Sequence, residues 1–320
     1  MTGGESAYCN FGYETAFKTP ATANKTFGSD ISIKNLDIKN NIKRHYGLGT
    51  NTARHFSTNK FEGALGIDFA ISDPWFLKGL LGSLTTSGSG PYGHYFFVGT
   101  SSPPSMTIIN GIGLKGVTSN AIREYNGCVV TDARISIAEG DEPARCSLTI
   151  AYAQERKSAN THSGQILAAD EYYPWTYGSF EYPGGSAIAN TESVELSIVN
   201  NAELKWGLGS RTASRRDYRQ RDFDISTTNY FDDPTTYLEK MYGYASGPIT
   251  TIVSGEVGCN IILDNGLISS NQRKIIMFVS GCVIEHHSLP QSVEAEMMET
   301  VDIMGKSLGI LVINNTSAMP

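Results

Sequence analysis

LDIKNNIKRHYGLGTNTA, residues 36–53, returns 160 residues later as LSIVNNAELKWGLGSRTA, residues 196–213. Asn40-Asn41, Gly47-Leu48-Gly49 and Thr52-Ala53 recur as Asn200-Asn201, Gly207-Leu208-Gly209 and Thr212-Ala213, while Tyr46 returns as Trp206. The flanks repeat in the same order. An apolar-alternating stretch leads to Asp-Pro and then to a short segment closing on Gly, Asp73-Pro74 to Gly82 and Asp233-Pro234 to Gly243. Gly127-Cys128-Val129 is echoed by Gly281-Cys282-Val283, and Phe17-Lys18-Thr19-Pro20 by Phe180-Glu181-Tyr182-Pro183. One series of signals used twice predicts two copies of one domain in tandem, residues 1–160 and 161–320, joined through the polar stretch SANTHSGQ at 158–165. Each copy is of ordinary domain size, and the period is far too long for a solenoid.

Phe61, Gly63, Leu65, Ile67, Phe69 and Ile71 put an apolar or small residue at every second position, as a strand with one buried face requires. Phe223, Ile225, Thr227, Asn229 and Phe231 do the same in the second copy. The following Asp-Pro reads as a helix start, with Asp73 and Asp233 as N-caps and Gly82 and Gly243 as stops. Two turns of helix cannot stand alone, so each helix is expected to pack on a sheet. Further strands are expected at Leu36–Lys39, Ser105–Ile109, Cys128–Ile137, Ala144–Ala153, Val194–Val199, Ile249–Val253, Cys259–Leu263, Lys274–Ile284 and Glu294–Met304. Turns are expected at Ser83–Tyr92, Gly99–Pro104 and Asn126-Gly127. The expected class is mainly β: two tandem β-sandwich or barrel domains, each with a short flanking α-helix.

Composition narrows the function. Charged residues make up 18% of the chain, and the net charge of -7 is unevenly held: +2 over residues 1–160 and -9 over 161–320. That balance argues against phosphate-backbone binding, which needs clustered Lys and Arg. Arg215, Arg216, Arg219 and Arg221 do cluster, but Asp217 and Asp222 interleave with them, which suits a solvated or subunit-facing surface. No apolar run reaches the roughly 18 residues of a membrane span, and the first residues lack the order of a signal peptide, so synthesis in a cytoplasm is expected. Five cysteines without CxxC spacing suit a reducing compartment, with Cys128 and Cys282 as small buried apolar residues.

Candidate chemistry is thin. Gly111-Ile112-Gly113-Leu114-Lys115-Gly116 matches the dinucleotide pattern GxGxxG, with Asp132 where a ribose-binding carboxylate could stand. A nucleotide-dependent enzyme needs a helix to open at the third glycine. Val117-Thr118-Ser119-Asn120 is a poor helix start, and Asn110-Gly111 reads equally as a hairpin turn. His286-His287 has no second ligand group at metal-site spacing. The sequence therefore predicts no catalytic, cofactor-binding or metal residue, no cofactor and no enzymatic activity. Tyr172, Tyr173, Trp175 and Tyr177 raise a carbohydrate-binding sandwich as another reading, and packing against a neighbouring domain or subunit as the plainer one.

Taken in order, GYETAFKTP (12–20), YGLGTNTA (46–53) and FEGALGIDFAISDPWFLKGLLG (61–82) resemble the tail tube proteins, or major tail proteins, of long-tailed phages and tailed archaeal viruses. Residues 194–243 repeat the resemblance in weaker form. It implies a virion protein whose subunits join edge to edge into rings that stack as a hollow tube for viral DNA. The family builds rings of six domains, so a two-copy chain implies rings of three chains. Implied partners are further copies of itself, the tape measure, terminator and baseplate or tip proteins, and duplex DNA passing without specific binding; no membrane is involved. A bore for a polyanion should not pair with phosphates, so many carboxylates of the second copy are expected on its wall. The inner tube of a contractile injection or secretion machine is the neighbouring alternative. The Gly-rich Ser83–Gly93 segment is expected to be a long loop reaching the next ring.

Overall fold

Two asparagines account for much of the repeated stretch. Asn41 and Asn201 both adopt left-handed backbone, with φ of 45° and 46°, a conformation Asn tolerates better than most residues. Asn41 Nδ2 donates to Lys60 O (3.0 Å) and Glu62 Oε2 (2.8 Å), and Asn201 Nδ2 donates to Gln220 O (2.7 Å) and Asp222 Oδ2 (3.3 Å). Each side chain thus ties the end of one strand to the start of the strand it pairs with. The computed structural model describes residues 7–49, 51–99, 102–112, 121–140, 143–157, 172–231, 257–268, 272–289 and 297–317.

The first half contains β1 (Ala7–Tyr13), β2 (Lys25–Thr26), β3 (Ser29–Lys39), β4 (Lys43–Tyr46), β5 (Ala53–Ser57), β6 (Glu62–Ala70), α1 (Leu77–Leu81), β7 (Gly82–Ser87), β8 (Tyr92–Val98), β9 (Met106–Ile112), β10 (Ala121–Ala138), β11 (Arg145–Tyr152) and β12 (Gln154–Lys157). The second contains β13 (Ser179–Glu181), β14 (Thr191–Val199), β15 (Ala202–Lys205), β16 (Arg215–Tyr218), β17 (Asp222–Tyr230), β18 (Val257–Asp264), β19 (Lys274–Ser288), β20 (Met298–Gly305) and β21 (Ser307–Asn314). Among the described residues all the strand pairings are antiparallel. The ladder β3-β6-β11-β10 in the first half recurs as β14-β17-β20-β19 in the second. β1-β9-β10-β12 recurs likewise as β13-β18-β19-β21.

The repeated Gly-Cys marks one device in both halves. Gly127 and Gly281 have φ of 66° and 67°. Each sits where the ladder to the preceding strand slips by a residue, between Tyr125 and Cys128 and opposite Val257 and Cys259. A glycine-bearing bulge of this kind bends a long strand from one sheet into another. β10 and β19 accordingly serve two sheets each. The thiols of Cys128 and Cys282 are buried and donate to Tyr125 O and Val279 O, both at 3.4 Å.

Buried residues of both halves, among them Phe11, Phe69, Tyr152, Leu196, Met277 and Ile310, form one continuous core. β6 alternates as its sequence requires, Leu65, Ile67 and Phe69 inward. Glu14 is a buried polar anchor of this core. Its carboxylate accepts from Ser105 Oγ (2.7 Å), Thr107 Oγ1 (3.0 Å), Gly127 N (2.8 Å) and Lys18 N (2.9 Å), which pins the segment after β1 onto β9 and the β10 bulge.

Several expectations are corrected. Asp73 is not the N-cap residue: α1 has only five residues, its N-cap is Phe76, which makes no side-chain capping bond, and the first-turn Gly79 N donates instead to Tyr13 Oη (2.9 Å). The equivalent Asp233–Gly243 lies outside the described residues, as does Ile249–Val253. Asn110-Gly111 is not a turn but part of β9, where Gly is needed because a Cβ at 111 would stand 2.1 Å from the Tyr8 ring. Ser83–Gly93 is not a loop: it forms most of the β7–β8 hairpin, and β8 continues into the second half by pairing with β21. Phe180 does not match Phe17. It pairs with Ile261 and, through it, Met277, five residues before Cys282; Cys9 pairs with Asn110 and Arg123, five residues before Cys128. Phe180 therefore stands where Cys9 does.

Candidate assembly interface

The two ladders are joined by one strand pair. β10 lies against β14 from Asp132↔Val199 to Ala138↔Ser193, so the sheet runs without a break as β3-β6-β11-β10-β14-β17-β20-β19. Leu196 and Ile198 are fully buried at this seam, each contributing about 1.5–3 kcal/mol by burial. Just beyond it, buried Asn200 donates from its backbone N to Thr131 O (2.8 Å) and from Nδ2 to Leu80 O (3.1 Å) and Val130 O (3.2 Å). The backbone groups at the sheet's bend are thereby satisfied across the seam.

The repeated Gly-Leu-Gly forms the tip of a hairpin arm in each half, β4–β5 and β15–β16. Gly49 and Gly209 both have φ of 79°, which favours glycine there. The β15–β16 arm folds over the first half. Ala202, Leu204 and Ala213 cluster with Val129 and Ala153, and Trp206, Tyr218, Phe17 and Ala151 pack around them. Trp206 Nε1 donates to Phe61 O (3.1 Å), the Arg216 guanidinium lies 5.7 Å from the Phe17 ring centroid, and Arg221 Nη1 donates to Leu81 O (3.1 Å). The basic run is thus divided. Arg216 and Arg221 face the first half, whereas Arg215 pairs with Asp217 and Arg219 with Glu203.

Among the described residues, the outer edge of β3 and the end of β19 after Val283 pair with no further strand. Leu36 and Ile38 are 38% and 39% exposed where Leu196 and Ile198 are buried. On the β4–β5 arm, Ile42, Tyr46 and Phe56 are 55%, 61% and 62% exposed. Their counterparts Ala202, Trp206 and Arg216 all pack on the first half. Open edges and exposed apolar side chains of this kind mark an association surface.

Among the described residues, those weighed for chemistry lie apart from one another. β9 and β10 are antiparallel, with Ile112 facing Ala121, so the strands on either side of the GxGxxG pattern are not the parallel pair that a dinucleotide site uses. Gly113–Gly116 lie outside the described residues. Asp132 is at the β10–β14 seam. His287 Nε2 lies 2.9 Å from Glu299 Oε2 and His286 Nδ1 lies 3.4 Å from Asp302 Oδ2, so the two rings meet different carboxylates. Of the four aromatics after the boundary, Tyr173 is in the core, Trp175 Nε1 donates to Glu192 O (3.2 Å), and Tyr172 and Tyr177 are exposed, the latter with one side of its ring against Gly266. The β4–β5 arm, which carries the exposed apolar side chains, has no alternation to mark it in the sequence, because both faces of its strands are exposed.

The model of the phage tail tube protein family matches residues 4–304. The chain belongs to that family. It is therefore a structural component of the virion tail, not an enzyme. No curated protein matches the chain. Membership of this family implies that the chain polymerises with further copies of itself.

Proposed function

We propose that the chain carries two copies of the tube domain, residues 1–160 and 161–320, and that three chains close into a ring of six quasi-equivalent domains. Such rings stack into the hollow tail tube through which viral DNA passes. The observation that carries this reading is the β10–β14 seam: it already joins one four-stranded ladder to another of the same pairing order. Repeating that join between chains closes three eight-stranded sheets into a barrel and removes both open edges. The same fold in a contractile injection machine is a weaker reading, because the family match is to a phage tail tube.

The bore wall would be the face of this sheet that turns away from the core. In the second half β14, β17, β20 and the end of β19 hold Glu195, Asp222, Asp224, Glu285 and Asp302 and no Lys or Arg. An acidic wall of this kind repels phosphates, so duplex DNA slides without being held. Tape measure, terminator and baseplate or tip proteins would cap or fill the tube. Negative-stain electron microscopy of the purified protein tests the reading. Hollow rings or rods with three-fold end-on views support it, and single particles at every concentration would reject it.

A further inference from the structure

We propose that the chain-to-chain joint is a charged copy of the joint inside the chain: β3 and the β4–β5 arm of one chain lie on the end of β19 and the adjoining face of β20 in the next. The proposal rests on the ring reading and adds the partner surface, its register and its chemistry. The internal joint serves as the template. β3 stands to β6 as β14 stands to β17, with Lys39↔Glu62 matching Val199↔Asp222. β19 stands to β20 as β10 stands to β11, with Ile284↔Ile303 and His286↔Asp302 matching Val130↔Ile150 and Asp132↔Thr149. Carrying the observed pair Asp132↔Val199 across these matches sets Lys39 opposite His286, and Ile38 opposite His287.

Both sides show what the missing neighbour would cover. Val129 and Ala151 lie under the β15–β16 arm; their counterparts on the receiving side are half-buried Val283 and Met304, the latter 45% exposed. On the donating side the uncovered counterparts are Leu36, Ile38, Ile42, Tyr46 and Phe56. A second copy of the chain presents the two sets in complementary places, and head-to-tail repetition closes if the rotation per chain is a third of a turn.

The two joints differ in charge on both faces together. Val199 and Leu204 of the internal joint are replaced on the donating side by Lys39 and Arg44. Thr131 and Thr149 are replaced on the receiving side by Glu285 and Asp302. At these four places uncharged residues of the internal joint thus have counterparts of opposite charge on the two sides. Such a joint gains specificity of partner and register, and it weakens with salt.

Cysteine pairing tests the joint. All five native cysteines are buried, which keeps background linking low. A chain carrying Lys39→Cys and His286→Cys, assembled and mildly oxidised, should run on a denaturing non-reducing gel as a closed circle of three chains. A shifted pair, Lys34→Cys with His286→Cys, should stay unlinked. Asp132→Cys with Val199→Cys, at the register present within the chain, is the control for linking efficiency. If rings form and the control links while Lys39→Cys/His286→Cys does not, the joint is wrong and the ring reading stands. If neither rings nor links form, both fall. In parallel, the assembled fraction of the unmodified protein in sedimentation should drop between about 0.05 M and about 1 M salt; a fraction that salt leaves unchanged overturns the charged character of the joint.

Discussion

Asn200 and Asn40 occupy the same place in the repeated stretch and should respond differently to the same substitution. Asn200→Ala removes two buried hydrogen bonds to Leu80 O and Val130 O. It should lower unfolding stability by about 1–3 kcal/mol, read from urea titration. Asn40→Ala removes only an exposed bond, from Arg211 Nη2 to Asn40 Oδ1, and should leave the stability of the single chain within about 0.5 kcal/mol and lower the assembled fraction; equal stability losses would contradict the account. Asp224 gives a pH test. Burial, Asp222 and Glu285 push its carboxyl above the usual range. A raised folded-state pKa means that folding favours the protonated form, so stability falls as pH rises through the unfolded and then the folded value. Asp224→Asn should therefore raise the melting temperature of the unassembled chain at neutral pH and change it little at about pH 3, below the usual carboxylate value. At this scale the asparagine turns and the Gly-Cys bulges were marked in the sequence by exact recurrence. The role of Gly111 was not, since the ring it accommodates, Tyr8, lies about 100 residues away in the chain.

Among the elements, β6 and β17 were legible because one face of each is buried and the other is not. β10 and β19 were read only in part. A bulge resets the alternation in each, so a single period cannot describe an 18-residue or a 15-residue strand. α1 was legible as an apolar segment closed by Gly82, but its cap was not, because Pro74 starts a turn before the helix: Leu77 N donates to Pro74 O (3.0 Å). The β7–β8 hairpin was missed because its Gly and Ser content resembles a loop, while its partner β21 comes over 200 residues later. Its removal has a definite consequence. Deleting residues 83–93 would strip β7 and the start of β8 from the edge of the second-half sheet. The variant should melt at a lower temperature than the parent or fail to fold; a fully stable monomer that merely fails to polymerise would contradict this placement.

For the whole molecule, the tandem repeat was the strongest signal in the sequence, and what it could not convey was how the halves meet. Strand order across the β10–β14 seam depends on residues about 60 apart and on a shared core, neither of which leaves a periodic trace. The acidic surplus of residues 161–320 was visible as a total, whereas its concentration on one face of four strands required the fold. In the proposed ring, an unequal pair of halves, one mixed in charge and one acidic, would make the charge alternate around the circumference. The most direct test of the central claim is native mass spectrometry of the smallest closed ring released from assembled tubes. The account predicts three chains of 34.7 kDa each; a six-chain ring, or chains that never leave the monomeric state, would contradict it.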